Sequence, residues 1–285
     1  MTTNDVNIDA LLPPDMAVRA ETIGVRKAAM SFWTLLTLAL LAGAFIALGA
    51  IFATTVAAGL PGATPYGVAR LLIGLVFSLG LILVVVGGAE LFTGNNLIVM
   101  AWAGGKVSTR ALLRNWGIVY LGNLIGSLGT ALMMFMSRQY TFGSGAVGMA
   151  ALTIADTKVH FGFVQAVFLG IMCNLLVCLA VWMTYSARST VDKIAAILFP
   201  ISAFVAGGFE HSIANMYFIP IGLLIKEHDP AFAASTRLPL DGLTWHAFIV
   251  NNLVPVTIGN IIGGTVLVAI VYWFVYLRHA AKETQ

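Results

Sequence analysis

The chain has 285 residues, of which 59% are hydrophobic and only 9% charged, against the roughly 25% charged residues of an ordinary soluble domain. That shortage excludes a soluble domain and leaves an all-α, polytopic protein whose surroundings are a lipid bilayer. The net charge of +3 is scattered over loops and tails with no basic stripe, which excludes nucleic acid as a partner.

Residues 1–30 read as an N-terminal tail. Pro13, Pro14 and Asp15 open an amphipathic helix with Met16, Ala20 and Ile23 on one face. The start, MTTNDVNIDALLPPDM, has no basic stretch followed by an apolar core, so no cleavable signal is expected. The first span, about Phe32 to Val56, meets the length of about 20 apolar residues that a bilayer demands. Gly59, Pro61, Gly62 and Pro65 then form a loop. The second apolar run, about Val68 to Ala103, is too long for one span and holds Gly87, Gly88, Glu90, Thr93 and Asn95 midway. Two half-helices separated by a non-helical break account for it.

A basic loop from Gly104 to Arg114 leads to the third span, about Trp116 to Met136. Ser137 to His160 reads as a polar connection, and the fourth span runs from about Phe161 to Tyr185. Cys173 and Cys178 lie within it as apolar packing residues, with no CxxC pair and no disulfide framework. The fifth run, about Ile194 to Ile225, is again overlong, with GGFEHSIANM (Gly207 to Met216) at its centre. An outer loop spans Lys226 to His246, and the sixth span, about Phe248 to Leu277, completes a pore domain over 31–278. Residues 279–285 form a short charged tail. The N-tail, the loops at 104–114 and 186–193, and the C-tail carry ten Lys and Arg, and the opposite side carries five. The positive-inside rule therefore places both termini in the cytoplasm.

The two halves, about 31–136 and 161–278, rhyme. GGAELFTGN at Gly87 matches GGFEHSIAN at Gly207, and LGNLIG at Leu121 matches IGNIIG at Ile258. Three spans per half make the halves enter the membrane in opposite senses: an inverted 3+3 repeat with helices 2 and 5 broken. Such breaks point to a substrate site near the midplane, with half-helix N-termini offering free N–H groups to an anion.

His211 is the one histidine inside a span, and an ionisable side chain in a bilayer is a functional candidate. Its imidazole can hold an anion when charged and can hand on a proton. Glu90 and Glu210 would repel an anion, so they read as structural, accepting N–H bonds from the backbone beside them or staying protonated. Gly87, Gly88, Gly207 and Gly208 let the helices stop. Asn123 reads as a scaffold residue. No paired carboxylates, metal-ligand cluster, nucleophile elbow or phosphate loop is present, so neither an enzyme nor a metal or cofactor site is expected.

AELFTGNN, YLGNLIGS, CNLLVCLAVWM, GFEHSIANM and PVTIGNIIGG, in this order, resemble the formate/nitrite transporter family over nearly the whole chain. The resemblance implies an aquaporin-like protomer, a homopentamer with one pore per protomer, and passage of small monovalent anions, often with a proton, across a bacterial-type inner membrane. It implies that His211 is the central histidine, with Asn260, Thr93, Leu91 and Asn174 along the path. It also implies constrictions at Phe77 and Phe204 on the outer side and at Leu81, Leu91 and Val177 on the cytoplasmic side, with Lys158 at the outer vestibule. GFEHSIANM and PVTIGNIIGG resemble the formate branch, so bidirectional, proton-linked formate passage through His211 is expected. Nitrite or hydrosulfide is the alternative. An aquaporin-type pore for neutral solutes is a further class, without its usual paired NPA motifs here.

Overall fold

A computed structural model describes residues 10–60 and 62–278. Residues 1–9, Pro61 and the charged tail at 279–285 lie outside the described residues. The described elements are helical. In order they are α1 (Pro13–Ala28), α2 (Phe32–Ala57), α3 (Tyr66–Gly87), α4 (Val99–Ala103), α5 (Thr109–Met136), α6 (Ala146–Val159), α7 (Phe163–Ser186), α8 (Thr190–Ala206), α9 (Ser212–His228) and α10 (Pro230–Ser235). The last stretch, α11 (Trp245–Tyr276), runs through two π-helical segments, Phe248–Leu253 and Thr265–Ile270. Helices α2, α3, α5, α7 and α11 are each long and apolar enough to cross a membrane, so the chain is a multi-pass membrane protein.

The second apolar run departs from the expected pair of half-helices. α3 alone has 22 residues, about 33 Å at 1.5 Å per residue. Only a short 3₁₀ turn (Gly94–Ile98) and the five residues of α4 follow it. The fifth run does divide evenly, into α8 and α9 of 17 residues each. Both helices carry an internal proline, Pro200 and Pro220.

The supposed polar connection at 137–160 is largely helical as well. α6 buries Val147, Ala151, Leu152, Ala155 and Val159 and packs against α9. Likewise α9 reaches His228 and α10 follows it directly, which shortens the expected outer loop.

Packing is pairwise and close. α2 lies against α3 and α5, α7 lies against α8 and α11, and α3 meets α8. Small residues allow the approach: a Cβ at Gly259 would fall 2.1 Å from the Val167 carbonyl oxygen. α1 buries Met16, Ala17 and Ala20 in a cluster with α4 and the ends of α7 and α11.

Candidate functional site

Two non-helical loops meet at the centre. Gly88–Thr93 follows α3, and Gly207–His211 follows α8. Gly88 and Gly208 adopt φ of 76° and 73°, a left-handed conformation that costs other L-residues about 1–2 kcal/mol. Gly87 ends α3 and Gly207 is the C-cap of α8.

His211 is the N-cap of α9, and its Nδ1 accepts the Ala214 N–H at 3.0 Å. An amide nitrogen can only donate, so Nδ1 carries no proton in this arrangement. The remaining proton of the neutral ring lies on Nε2, which is 3.0 Å from Thr93 Oγ1. That bond joins the two loops. Both residues are buried, Thr93 at 0% and His211 at 3% exposure.

A cavity of about 630 Å³ reaches His211 from one side, bordered by Phe77, Phe204, Phe218, Lys158 and Arg70. The Phe77 ring meets Phe204 edge-on at 5.6 Å, and Phe204 stacks on His211 at 5.9 Å. A cavity of about 230 Å³ approaches from the other side, bordered by Leu81, Leu91, Glu90 and Lys27. Val177 and Asn174 are buried on α7 and border neither cavity. The Asn174 amide donates to the Thr93 carbonyl at 3.3 Å and to the Asn260 carbonyl at 2.7 Å.

Each loop is held by a network of the same design. Glu210 Oε1 pairs with Lys158 at 2.6 Å, and Oε2 accepts the side-chain amides of Asn215 and Asn252. Glu90 Oε1 pairs with Lys27 at 2.9 Å, and Oε2 accepts the amide of Asn95. Asn252 donates to the Lys158 carbonyl, and Asn115 to the Lys27 carbonyl. Both glutamates thus lean on lysine and asparagine side chains, not on the backbone N–H groups the sequence suggested.

The expected contrast between Asn260 and Asn123 also disappears. Asn260 accepts the Ser212 N–H and donates to the Gly170 and Glu210 carbonyls. Asn123 accepts the Phe92 N–H and donates to the Ala39 and Glu90 carbonyls. Asn260 and His211 therefore occupy the Ser212 and Ala214 N–H groups, two of those expected to be free for an anion.

A family profile described as "Formate/nitrite transporter" matches residues 14–274. The chain belongs to the formate/nitrite transporter family. The formate channel FocA of Escherichia coli (strain K12) is 48% identical over 278 residues, 96% of this chain and 97% of that one. The formate channel FocA of Haemophilus influenzae is 39% identical over 274 residues, 95% of this chain and 96% of that one. A solved pentameric formate channel with formate bound superposes with a TM-score of 0.81 at 48% identity, covering 87% of this chain and 98% of that chain.

In this formate/nitrite transporter, sequence reasoning passed over Lys27, Asn115 and Asn252. Their signal was in the spacing. Lys27 precedes Phe32, the first residue of α2, by five positions, as Lys158 precedes Phe163, the first of α7. Asn115 precedes Asn123 by eight, as Asn252 precedes Asn260.

Proposed function

We propose that this protein passes formate across a bacterial-type cytoplasmic membrane, as a homopentamer with one path through each chain. The observation that carries the reading is the buried Thr93–His211 bond between two cavities, each bordered by a lysine–glutamate pair. The naming of the E. coli and H. influenzae relatives as formate channels supports the substrate. The pentamer with formate bound supports the assembly. The matched networks, with offsets of 120 residues from Glu90 to Glu210 and 137 from Asn123 to Asn260, support an inverted repeat with breaks after α3 and α8. The excess of Lys and Arg supports cytoplasmic termini, and the larger cavity then opens outward.

An anion entering from the Lys158 side meets Phe77 and Phe204 before His211 and Thr93. Beyond them Leu81 and Leu91 form a second apolar constriction. Asn174 and Asn260 hold the backbone around the two polar residues, and Val177 packs behind them. The Nε2–H of His211 donates to Thr93 Oγ1, which leaves the Thr93 O–H free to donate to the anion. Crossing the phenylalanine and leucine constrictions is cheaper for the neutral acid than for the ion, so passage is bidirectional and proton-linked. A second proton can enter the ring only at Nδ1, and there it displaces the Ala214 N–H.

Proteoliposomes carrying the full chain are expected to take up formate at a rate set by the pH gradient. His211→Asn is expected to remove that pH dependence while the assembly persists. Uptake of nitrite without formate would overturn the substrate, and an unchanged pH profile in His211→Asn would overturn the proton role.

A further inference from the structure

The larger cavity has one carboxyl and two basic side chains besides His211 among its described borders: Glu210, Lys158 and Arg70. Lys158 is neutralised by Glu210 at 2.6 Å, and its ammonium also lies 5.5 Å from the Phe218 ring centroid. No carboxylate pairs with Arg70 among the described residues. Its guanidinium instead faces the end of α8. Nε donates to the Ala206 carbonyl at 3.2 Å and Nη2 donates to the Val205 carbonyl. Nη2 also lies 3.7 Å from where a Cβ on Gly208 would stand.

This placement matters because of what ends there. The last carbonyls of a helix have no partner within it and concentrate the negative end of its dipole. The α8 terminus opens onto the same cavity, beside Phe204 and His211. Left alone, it would present partial negative charge to an arriving anion. The Val205 carbonyl also accepts the Gly208 N–H at 3.1 Å.

We propose that Arg70 supplies the net positive charge of the larger cavity and neutralises the carbonyl end of α8, making it a positioning and anion-recruiting residue for the path. Lys158, paired as it is, acts chiefly on Glu210 and the loop. This assignment rests on the reading of the cavity as an anion path. The cavity wall focuses the field of a charge that helix-end carbonyls offset only in part, so its removal is expected to change the local anion concentration roughly threefold to tenfold at low salt.

The test is formate current through the full-length protein in planar bilayers, with formate and salt varied on one side at a time. Arg70→Gln is expected to raise the half-saturating formate concentration roughly threefold to tenfold from one side only, with the difference closing at high salt. Arg70→Lys keeps the charge and loses the fork, so it is expected to retain the wild-type half-saturation and salt slope. Arg70→Met replaces Arg70→Gln if the latter does not assemble. Arg237→Gln makes the same change in net charge at an exposed position outside the cavity and is expected to leave both quantities unchanged. A wild-type salt slope in Arg70→Gln, an equal shift in Arg237→Gln, or a Lys variant that behaves like the Gln variant would each overturn the proposal. A wild-type protein that carries no formate current would instead overturn the anion-path reading.

Discussion

Lys158 and Glu210 form the more buried of the two lysine–glutamate pairs that hold the loops, with side chains 15% and 3% exposed against 24% and 5% for Lys27 and Glu90. Breaking such a pair costs more than the pair is worth, because one charge stays behind unpaired. Glu210→Gln is therefore expected to destabilise the protein by about 3 kcal/mol, seen as earlier thermal unfolding in detergent. Lys158→Met combined with Glu210→Gln is expected to recover most of that loss. Losses that simply add in the double variant would mean the pair is not coupled. The residue types were legible beforehand: a histidine, two glutamates and a lysine are conspicuous where charge is scarce. Their partnerships were not. Lys158 and Glu210 are 52 positions apart on different elements, and no local spacing announces a bond that the packing of α6 on α9 creates.

Helix boundaries are written in local chemistry even where the expected bounds missed them: the fifth run was placed from about Ile194 after a loop at 186–193, whereas α8 begins at Thr190. The Ser189–Asp192 capping box opens α8, with Ser189 Oγ accepting the Asp192 N–H and the Asp192 carboxylate accepting the Ser189 N–H. Bonds from the Ser189 and Arg188 backbone N–H groups hold the Asp192 carboxyl below its ordinary value of 3.8. A depressed folded-state pKa gives stability that is complete above the ordinary value and is lost as pH falls through the folded one. Asp192→Asn is expected to flatten the acid side of the stability profile below about pH 4, measured by thermal unfolding across pH. An identical acid slope in the variant would refute the cap. By contrast, α6 was hidden in the sequence. Its segment AVGMAALTIADTKV is too short to span and too mixed to read as apolar, yet its buried face fits α9. Nor did composition fix where the second run would stop being helical. Length alone cannot tell two equal halves from one full helix and a short turn.

On the scale of the whole protein, exposed apolar side chains such as Trp33 on α2, Leu121 on α5 and Val164 on α7 leave broad surfaces for lipid or for neighbouring copies. Native mass spectrometry from detergent is expected to give a particle of five 30.2 kDa chains. A monomer that still carries formate would show that the path needs no assembly. The membrane class and the family were open to reading from composition and five motifs. The pairing of motifs between the two halves of the sequence stood out, and Lys158 was expected at the outer vestibule, but Lys27 was counted only among the loop and tail charges until the networks joined each lysine to a glutamate.

The Ala214 bond to His211 sets a rule of exclusion where the two loops meet. One lone pair is claimed by two suitors, a backbone amide and a proton, and it can serve only one at a time. The ring therefore cannot act as an open wire that takes a proton on one nitrogen and gives it up from the other. Each charge it carries must be timed with the release and recapture of the first turn of α9. In the proposed proton-linked passage, a step in acid–base chemistry is thereby tied to a step in backbone geometry.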